Sequence, residues 1–251
     1  MLRMQNKLCL NTVEQKSLIF TVKNKVKKHP FLYGLVRFIL NPGIRFYPAK
    51  RNRFLRELLQ SKKGTILNIG SGTIKIPGPH VVINIDIIAF RGISTVCDAH
   101  NLPFHSERFE AVMLENCLEH LADPGQVIKE AYRVLKNNGL LFVEVPFLYE
   151  FHSSPSDYYR FTLPGLELFL KDFEKVDSGI SAGPTGTLNA VIRNYLAIIF
   201  SFGSLTVYEF LNMFFGIFTF PLKFLDFILI RFKNSSNIAS IIYFIGKKRD
   251  S

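Results

Sequence analysis

The chain has 251 residues, 48% of them hydrophobic, a net charge of +11 and a mean hydropathy of +0.17. That length holds one ample core with room for an appendage, and the apolar content predicts surface that meets a membrane or a partner. Three scattered cysteines (Cys9, Cys97, Cys117) exclude a disulfide framework or a zinc-finger spacing and predict reduced thiols.

Charge divides the chain. Residues 1–63 hold 15 Lys/Arg against 2 acids, and the remaining 188 hold 16 against 18. The basic character therefore belongs to an N-terminal arm. Lys23, Lys25, Lys27 and Lys28 precede an apolar run from Phe31 to Leu40. Basic plus apolar suits an anionic lipid surface better than a nucleic-acid groove; a solvated helix face beside a packed one is the plainer alternative. Met1 to Leu10 offers no long uncharged core of a signal peptide, so the predicted location is cytoplasmic, peripheral on the inner face of the membrane.

An apolar strand, Thr65 to Ile69, runs into Gly70-Ser71-Gly72, and a second, Val81 to Ile85, ends on Asp86. Glycines admit positive φ and close approach of a ligand to the backbone. An acid at the tip of the next strand can accept both hydroxyls of a ribose. A short third strand over Ser94 to Cys97 ends at Asp98-Ala99, and a fourth over Phe109 to Leu114 ends at Glu115-Asn116. Asp123 is an N-cap, Pro124 fits the first helical position and Gln126 completes a capping box. The helix runs to Asn137-Asn138-Gly139, and Leu140 to Val145 is a buried strand. A helix over Leu163 to Lys171, a strand over Phe173 to Asp177 and a last strand over Ile238 to Ile245 complete the pattern. Strands alternating with helices predict an α/β, Rossmann-like sheet of seven mostly parallel strands.

An NAD-binding fingerprint needs a third glycine opening a helix. Thr73-Ile74-Lys75-Ile76-Pro77 does not supply it. His100, His105 and His120 have no metal-site spacing, so no metal is expected.

With these residues laid out, the chain resembles the class I S-adenosylmethionine-dependent methyltransferases of the methyltransferase type 11 group. The tract CDAHNLPFHSERFEAVMLENCLEHLADPGQVIKEAYRVLKNNGLLFVEVPF, residues 97–147, carries most of the likeness. The resemblance covers about residues 64–180 plus the last strand, which it implies is antiparallel. It implies S-adenosylmethionine as cofactor. Gly70, Ser71 and Gly72 would pack on its methionine part, and Asp86 would hold the ribose. Asp98 and Ala99 would meet the adenine, and Glu115 and Asn116 would close the pocket beneath the sulfonium. Asn68 and Ile74 stand where the group often has an acid and a third glycine.

The tract from Phe151 to Thr162 crowds His152, Asp157, Tyr159 and Arg160 into the loop after the fifth strand, where this fold forms its acceptor side. His152 is a candidate general base and Arg160 a candidate clamp on an acidic acceptor. The competing reading pairs Asp157 with Arg160 as a brace, with Thr162 capping the next helix.

Residues 190–232 are almost continuously apolar. A single membrane crossing would put the last strand on the wrong side of the sheet, so interfacial helices are expected. Lys223, Arg231 and Lys233 would meet anionic headgroups. A lid over the site or a homodimer surface is the alternative.

The expected organisation is a basic arm (1–63), a methyltransferase core (64–180), an apolar helical insertion (181–236) and a last strand with a basic tail (237–251). The expected activity is O-methylation of a small-molecule, sugar or glycan acceptor, possible also on a lipid carrier. A lipid or quinone-like acceptor, or a non-catalytic module anchoring partners at a membrane, are the alternatives. Glu115-Asn116-Cys117-Leu118 is not the N/D-P-P-Y/F tetrad of nucleic-acid methyltransferases, so no nucleic-acid substrate is expected.

Overall fold

Side chains alternate across a strand, so a sheet buried on both sides needs apolar residues at every position. The central strands meet that demand. Leu67, Ile69, Val112, Leu114, Val143 and Val145 bury in one core, and Ile66, Ala111, Met113 and Phe142 in another. The computed structural model describes residues 38, 39, 41, 43, 64–72, 76, 81–90, 92–152 and 156–250. The rest of the arm, including Lys23 to Lys28, together with Cys9 and Ile74, lies outside these residues.

The strands are β1 (Thr65–Ile69), β2 (Val81–Asp86), β3 (Thr95–Val96), β4 (Phe109–Glu115), β5 (Leu135–Pro146), β6 (Phe173–Ala182) and β7 (Ile241–Lys248). They form one seven-stranded sheet in the order β3-β2-β1-β4-β5-β7-β6. β1, β2, β3, β4 and β5 pair in parallel. β7 inserts antiparallel between β5 and β6, from Leu140↔Lys247 to Pro146↔Ile241 on the β5 side. The fold is the Rossmann-like α/β arrangement expected, with its antiparallel last strand.

Helix α1 (Pro124–Val134) starts where predicted, with Asp123 Oδ1 accepting from the Gln126 N–H at 3.0 Å. The capping box is only half made, because the Gln126 amide donates to the His100 carbonyl at 3.2 Å. The helix also stops sooner than Asn137. Leu135 is extended and pairs with Phe109 of β4, so fully burying this leucine in the sheet wins over another helical residue. Asn138 turns the chain with φ 61°. Helix α2 (Leu163–Phe169) is capped by Thr162, whose Oγ1 accepts from Gly165 N–H at 3.1 Å.

β6 runs to Ala182, beyond the predicted Asp177, because its partner β7 continues alongside. The apolar segment follows as α3 (Pro184–Ser201), α4 (Leu205–Thr219) and α5 (Asp226–Leu229). Phe202 and Gly203, both at positive φ, join α3 and α4, which pack on each other. The helical run Leu205–Leu229 is long and apolar enough to cross a membrane by length and composition. The sheet forbids a single crossing there. β7 follows this run and is hydrogen-bonded between β5 and β6, which precede it.

Lys223 corrects one expectation. It is 1% exposed, its Nζ donates to the Phe38 carbonyl and lies 4.1 Å and 4.3 Å from the Phe38 and Phe220 ring centres. It is a packed cation with no face for a lipid headgroup. Arg231 and Lys233 remain exposed.

Candidate active site

The residues singled out for the cofactor converge at the carboxyl ends of β1, β2, β3 and β4, where doubly wound sheets collect ligands. Gly70 (φ 63°) and Gly72 (φ 52°) take the left-handed backbone that side chains resist. A Cβ on Gly70 would stand 2.3 Å from the Cys117 Sγ, so the turn lies directly on the chain leaving β4. Gly72 faces open space instead. Between them Ser71 donates its N–H to the Ile85 carbonyl at 3.1 Å. The buried Ser71 Oγ has no hydrogen-bond partner among the described residues.

Asp86 is locked to this turn. Its Oδ2 accepts from Gly72 N–H at 2.9 Å, and its Oδ1 accepts from Ile88 N–H at 3.0 Å. Each oxygen keeps a free lone pair. Asn68 is buried, and its amide donates to Asn84 Oδ1 of β2 at 3.0 Å. Asn68 is thereby tied to the sheet beside the turn.

Asp98 and Ala99 sit at the head of the loop 98–104. Asp98 Oδ1 accepts from the His100 N–H at 2.9 Å and lies 2.6 Å from its Nδ1. Burial raises the Asp98 carboxyl, but these His100 contacts outweigh it and hold it below the usual range. Arg133 of α1 fixes the rest of the loop, donating to the Leu102 and Phe104 carbonyls at 3.1 Å and 2.8 Å. It also pairs with Glu130, which accepts from Leu102 N–H at 2.8 Å. The spacing between N-L-P-F and R-V-L in the sequence thus encodes one loop clamp.

Glu115 ends β4 opposite Glu144 of β5. Asn116 takes φ 47°; its N–H donates to the Glu144 carbonyl at 2.8 Å, and its amide to Glu144 Oε1 at 3.0 Å. Ser181 donates to the other Glu144 oxygen. Glu144 is fully buried and was not singled out, although an acid inside the apolar strand Leu140 to Val145 is a visible signal. Burial, with Glu119 and Asp86 nearby, pushes the Cys117 thiol up to about 12, which keeps it protonated and inert.

Beyond the end of β5 lies a cleft of about 260 Å³, partly open to solvent and lined by Asn116, His120, Pro146, Tyr149, His152 and Ile241, among others. Of the four residues assigned to chemistry, only His152 lines it. The Asp157 side chain is buried, accepts from His152 N–H at 2.9 Å and receives Arg160 at 2.5 Å and 2.6 Å. Burial raises its carboxyl, yet Arg160, the His152 N–H and the neighbouring charges win and hold it at about 2.

Arg160 does not serve as a free clamp. Its Nε donates to the Tyr149 carbonyl at 3.3 Å, and its Nη atoms reach Asp157 and the Tyr159 and Glu150 carbonyls. All five guanidinium donors are engaged, so none is left for an acceptor. The Tyr159 hydroxyl likewise donates to the Ala122 carbonyl at 3.1 Å. These residues brace the loop that carries His152.

Beneath the loop lies Glu119, in a single 3-10 turn (Leu118–His120), with 0% exposure and neither carboxylate oxygen hydrogen-bonded among the described residues. Its carbonyl accepts from Tyr158 N–H at 2.8 Å. Sequence reasoning passed over it, because its partner His152 comes from a tract 33 residues downstream. Side chains from the apolar segment also reach this wall: Arg193 and Asn194 of α3 donate to the Glu150 carboxylate.

The family profile described as "Methyltransferase domain" matches residues 82–143. A demethylmenaquinone methyltransferase of Thermotoga maritima is 27% identical over 184 residues, 63% of this chain and 76% of that protein. An uncharacterized protein of Methanocaldococcus jannaschii is 33% identical over 92 residues, 33% of this chain and 45% of its own. Among solved structures, a Burkholderia thailandensis 1,6-didemethyltoxoflavin-N1-methyltransferase has a TM-score of 0.51 at 13% identity, with 90% of this chain and 85% of that chain covered. A Haemonchus contortus phosphoethanolamine N-methyltransferase 2 has 0.50 at 17%, with 86% and 56% covered. At such identities these two structures speak for the fold. Asp86, Asp98 and Glu115 fall within the segment that matches the methyltransferase domain, and the chain has the fold of the class I S-adenosylmethionine-dependent methyltransferases.

Proposed function

We propose that this enzyme methylates a hydroxyl oxygen of a lipid-linked small molecule, with a sugar or glycan on a lipid carrier the first class to test. One observation carries the lipid part of this reading. The helices that follow β6 expose Tyr195, Ile198, Phe200, Phe202, Phe214 and Phe218, with Phe202 at 92% and Phe218 at 66%. Exposed apolar side chains of this number suit the acyl boundary of a membrane. The same α3 is tied to the cleft wall. Thr187 Oγ1 donates to the Leu148 carbonyl at 2.8 Å, and Arg193 pairs with Glu150. An acceptor presented at a lipid surface would therefore arrive beside the site. Exposed Arg231 and Lys233 add positive charge for anionic headgroups.

The cofactor reading assigns the turn Gly70-Ser71-Gly72 to the methionine part. It gives Asp86 to the ribose, Asp98 and Ala99 to the adenine, and Asn68, Glu115 and Asn116 to the floor of the pocket. The free lone pairs of Asp86, the open face of Gly72 and the orphaned Ser71 hydroxyl support that fit. When bound, S-adenosylmethionine supplies its own electrophilic methyl group. The protein's task is then to align the acceptor oxygen and exclude water, worth roughly 7–11 kcal/mol in favourable cases.

A second acceptor class, a quinone-like ring, is supported by the Thermotoga maritima relative's name. Labelled methyl transfer from S-adenosylmethionine into a bacterial membrane-lipid extract tests both. Label is expected in organic-soluble product, with a fall of about tenfold or more in Phe202→Asp/Phe218→Asp. Label confined to water-soluble acceptors, unchanged in that double variant, would overturn the lipid reading. Chromatography of the product separates glycan-lipid from quinone.

A further inference from the structure

Glu119, His120 and His152 come together at the cleft edge, where the Glu119 contact outweighs burial and raises the His152 pKa. The His120 Nδ1 lies 2.5 Å from the Ser156 carbonyl, which can only accept. The His152 Nδ1 faces the Glu150 carbonyl at 3.2 Å and Asp157 Oδ2 at 3.4 Å, again acceptors. Both Nδ1 atoms therefore carry the ring hydrogen, an assignment made from their partners. In the neutral form each ring would present a bare Nε2, and both Nε2 atoms stand 3.6 Å from Glu119 Oε1. That is too long for a hydrogen bond. Among the described residues neither Glu119 oxygen has a hydrogen-bond partner, in a residue with 0% exposure.

A buried carboxylate facing two imidazole nitrogens calls for a cation, either the proton that the raised His152 pKa favours or a metal ion that displaces it. We infer that Glu119, His120 and His152 form a binding site for a divalent transition-metal ion, with zinc the first to test, at the edge of the acceptor cleft. The spacing fits. Around a tetrahedral ion with bonds of about 2.0–2.1 Å, donor atoms stand roughly 3.4 Å apart. The ligand atoms here lie within 4.8 Å of one another, so small side-chain rotations close the set. Two imidazoles and one carboxylate suit zinc, iron or manganese and not the all-oxygen preference of magnesium or calcium.

The surroundings are those of an oriented site. Ligating histidines hold the other ring nitrogen on a carbonyl or carboxylate, which fixes the tautomer. Ser156, Glu150 and Asp157 do this here, and Arg160 in turn anchors Asp157. The His120 and His152 rings meet edge to face at 5.0 Å, and both line the cleft while Glu119 lies beneath. An ion seated there would turn its open position toward the cleft and supply Lewis acidity where the acceptor hydroxyl is proposed to lie. This location rests on the proposed function; the metal site itself does not. His152 is then a ligand in place of the general base that its sequence context suggests.

The test uses the full chain stripped with a chelator, then titrated with zinc by calorimetry and with cobalt(II) by visible absorption. One ion per chain is expected, with intense d–d bands for cobalt in a four-coordinate site. His152→Ala and the near-isosteric Glu119→Gln should weaken binding by about 100-fold or more, since even loss of an outer partner costs 10–100-fold. His105→Ala, at an exposed histidine outside the cluster, should change nothing. Absence of stoichiometric binding by folded protein, or binding that survives Glu119→Gln, would overturn the site. S-adenosylhomocysteine titration of the same samples keeps the two questions apart. Its loss in the unaltered chain would count against the methyltransferase reading and leave the metal result standing.

Discussion

The guanidinium of Arg160 meets both carboxylate oxygens of Asp157, at 2.5 Å and 2.6 Å, and spends its remaining donors on three backbone carbonyls. One side chain thus ties residues 149, 150, 157 and 159 into a single loop. Lysine carries the charge but lacks the fork. Arg160→Lys should lower unfolding stability by about 1–3 kcal/mol, from hydrogen bonds lost to a charged group. It should raise the acceptor KM while leaving S-adenosylhomocysteine affinity unchanged, because the cofactor turn lies elsewhere. Equal losses of both affinities would show that the loop and the turn act as one unit.

Asp86 serves two structural N–H groups and is assigned the ribose as well. Asp86→Ala should weaken S-adenosylhomocysteine binding by roughly 10–100-fold, equivalent to about 1.4–2.8 kcal/mol. Isothermal titration calorimetry reads this directly. Unaltered affinity in a folded variant would remove Asp86 from the cofactor site.

The contact of Gly70 with Cys117 predicts a non-additive pair. Gly70→Ala adds a Cβ 2.3 Å from Sγ and 2.8 Å from the Cys117 Cβ, on a backbone with φ 63°. Overpacking and the left-handed backbone should together cost about 2–4 kcal/mol. Cys117→Ala should recover only part of this, since removing Sγ leaves the Cβ contact. A thermal-melt double-mutant cycle with coupling of at least about 0.5 kcal/mol is the expected outcome.

Lys223 gives a pH signature. Burial lowers its ammonium from 10.5 to about 8. The unfolded chain therefore binds the proton more tightly, and between these two values the folded state has already released it. Stability must rise as pH climbs through this window, by up to about 3 kcal/mol, and level off above it. Denaturant midpoints measured from pH 7.5 to 10.5 should show the rise, and Lys223→Met should flatten it. The same slope in both proteins would place the effect on another group.

Much of the fold was legible because it follows from local rules. The alternation of apolar strands with turns set β1, β2 and β4, and the Asp123-Pro124 pair marked the start of α1. Two element ends were misread for the same reason. Leu135 leaves the helix because it pairs with Phe109, and β6 continues past Asp177 because β7 lies beside it. Partners that fix an element's end from a distance leave no mark in its own residues.

What the amino-acid order determined by itself was the glycine turn, the acids at successive strand ends and the family likeness over residues 97–147, since each is a short-range pattern. Tertiary structure alone decided the roles of polar side chains far apart in sequence. It buried Lys223 against Phe38, consumed every donor of Arg160, and brought His152 to Glu119 and His120. Whether a charge is free, paired or packed depends on which groups the fold sets within a few ångströms of it. For His152 and Glu119 that distance is created only when the turn after β4 and the loop after β5 meet at the carboxyl ends of these central strands.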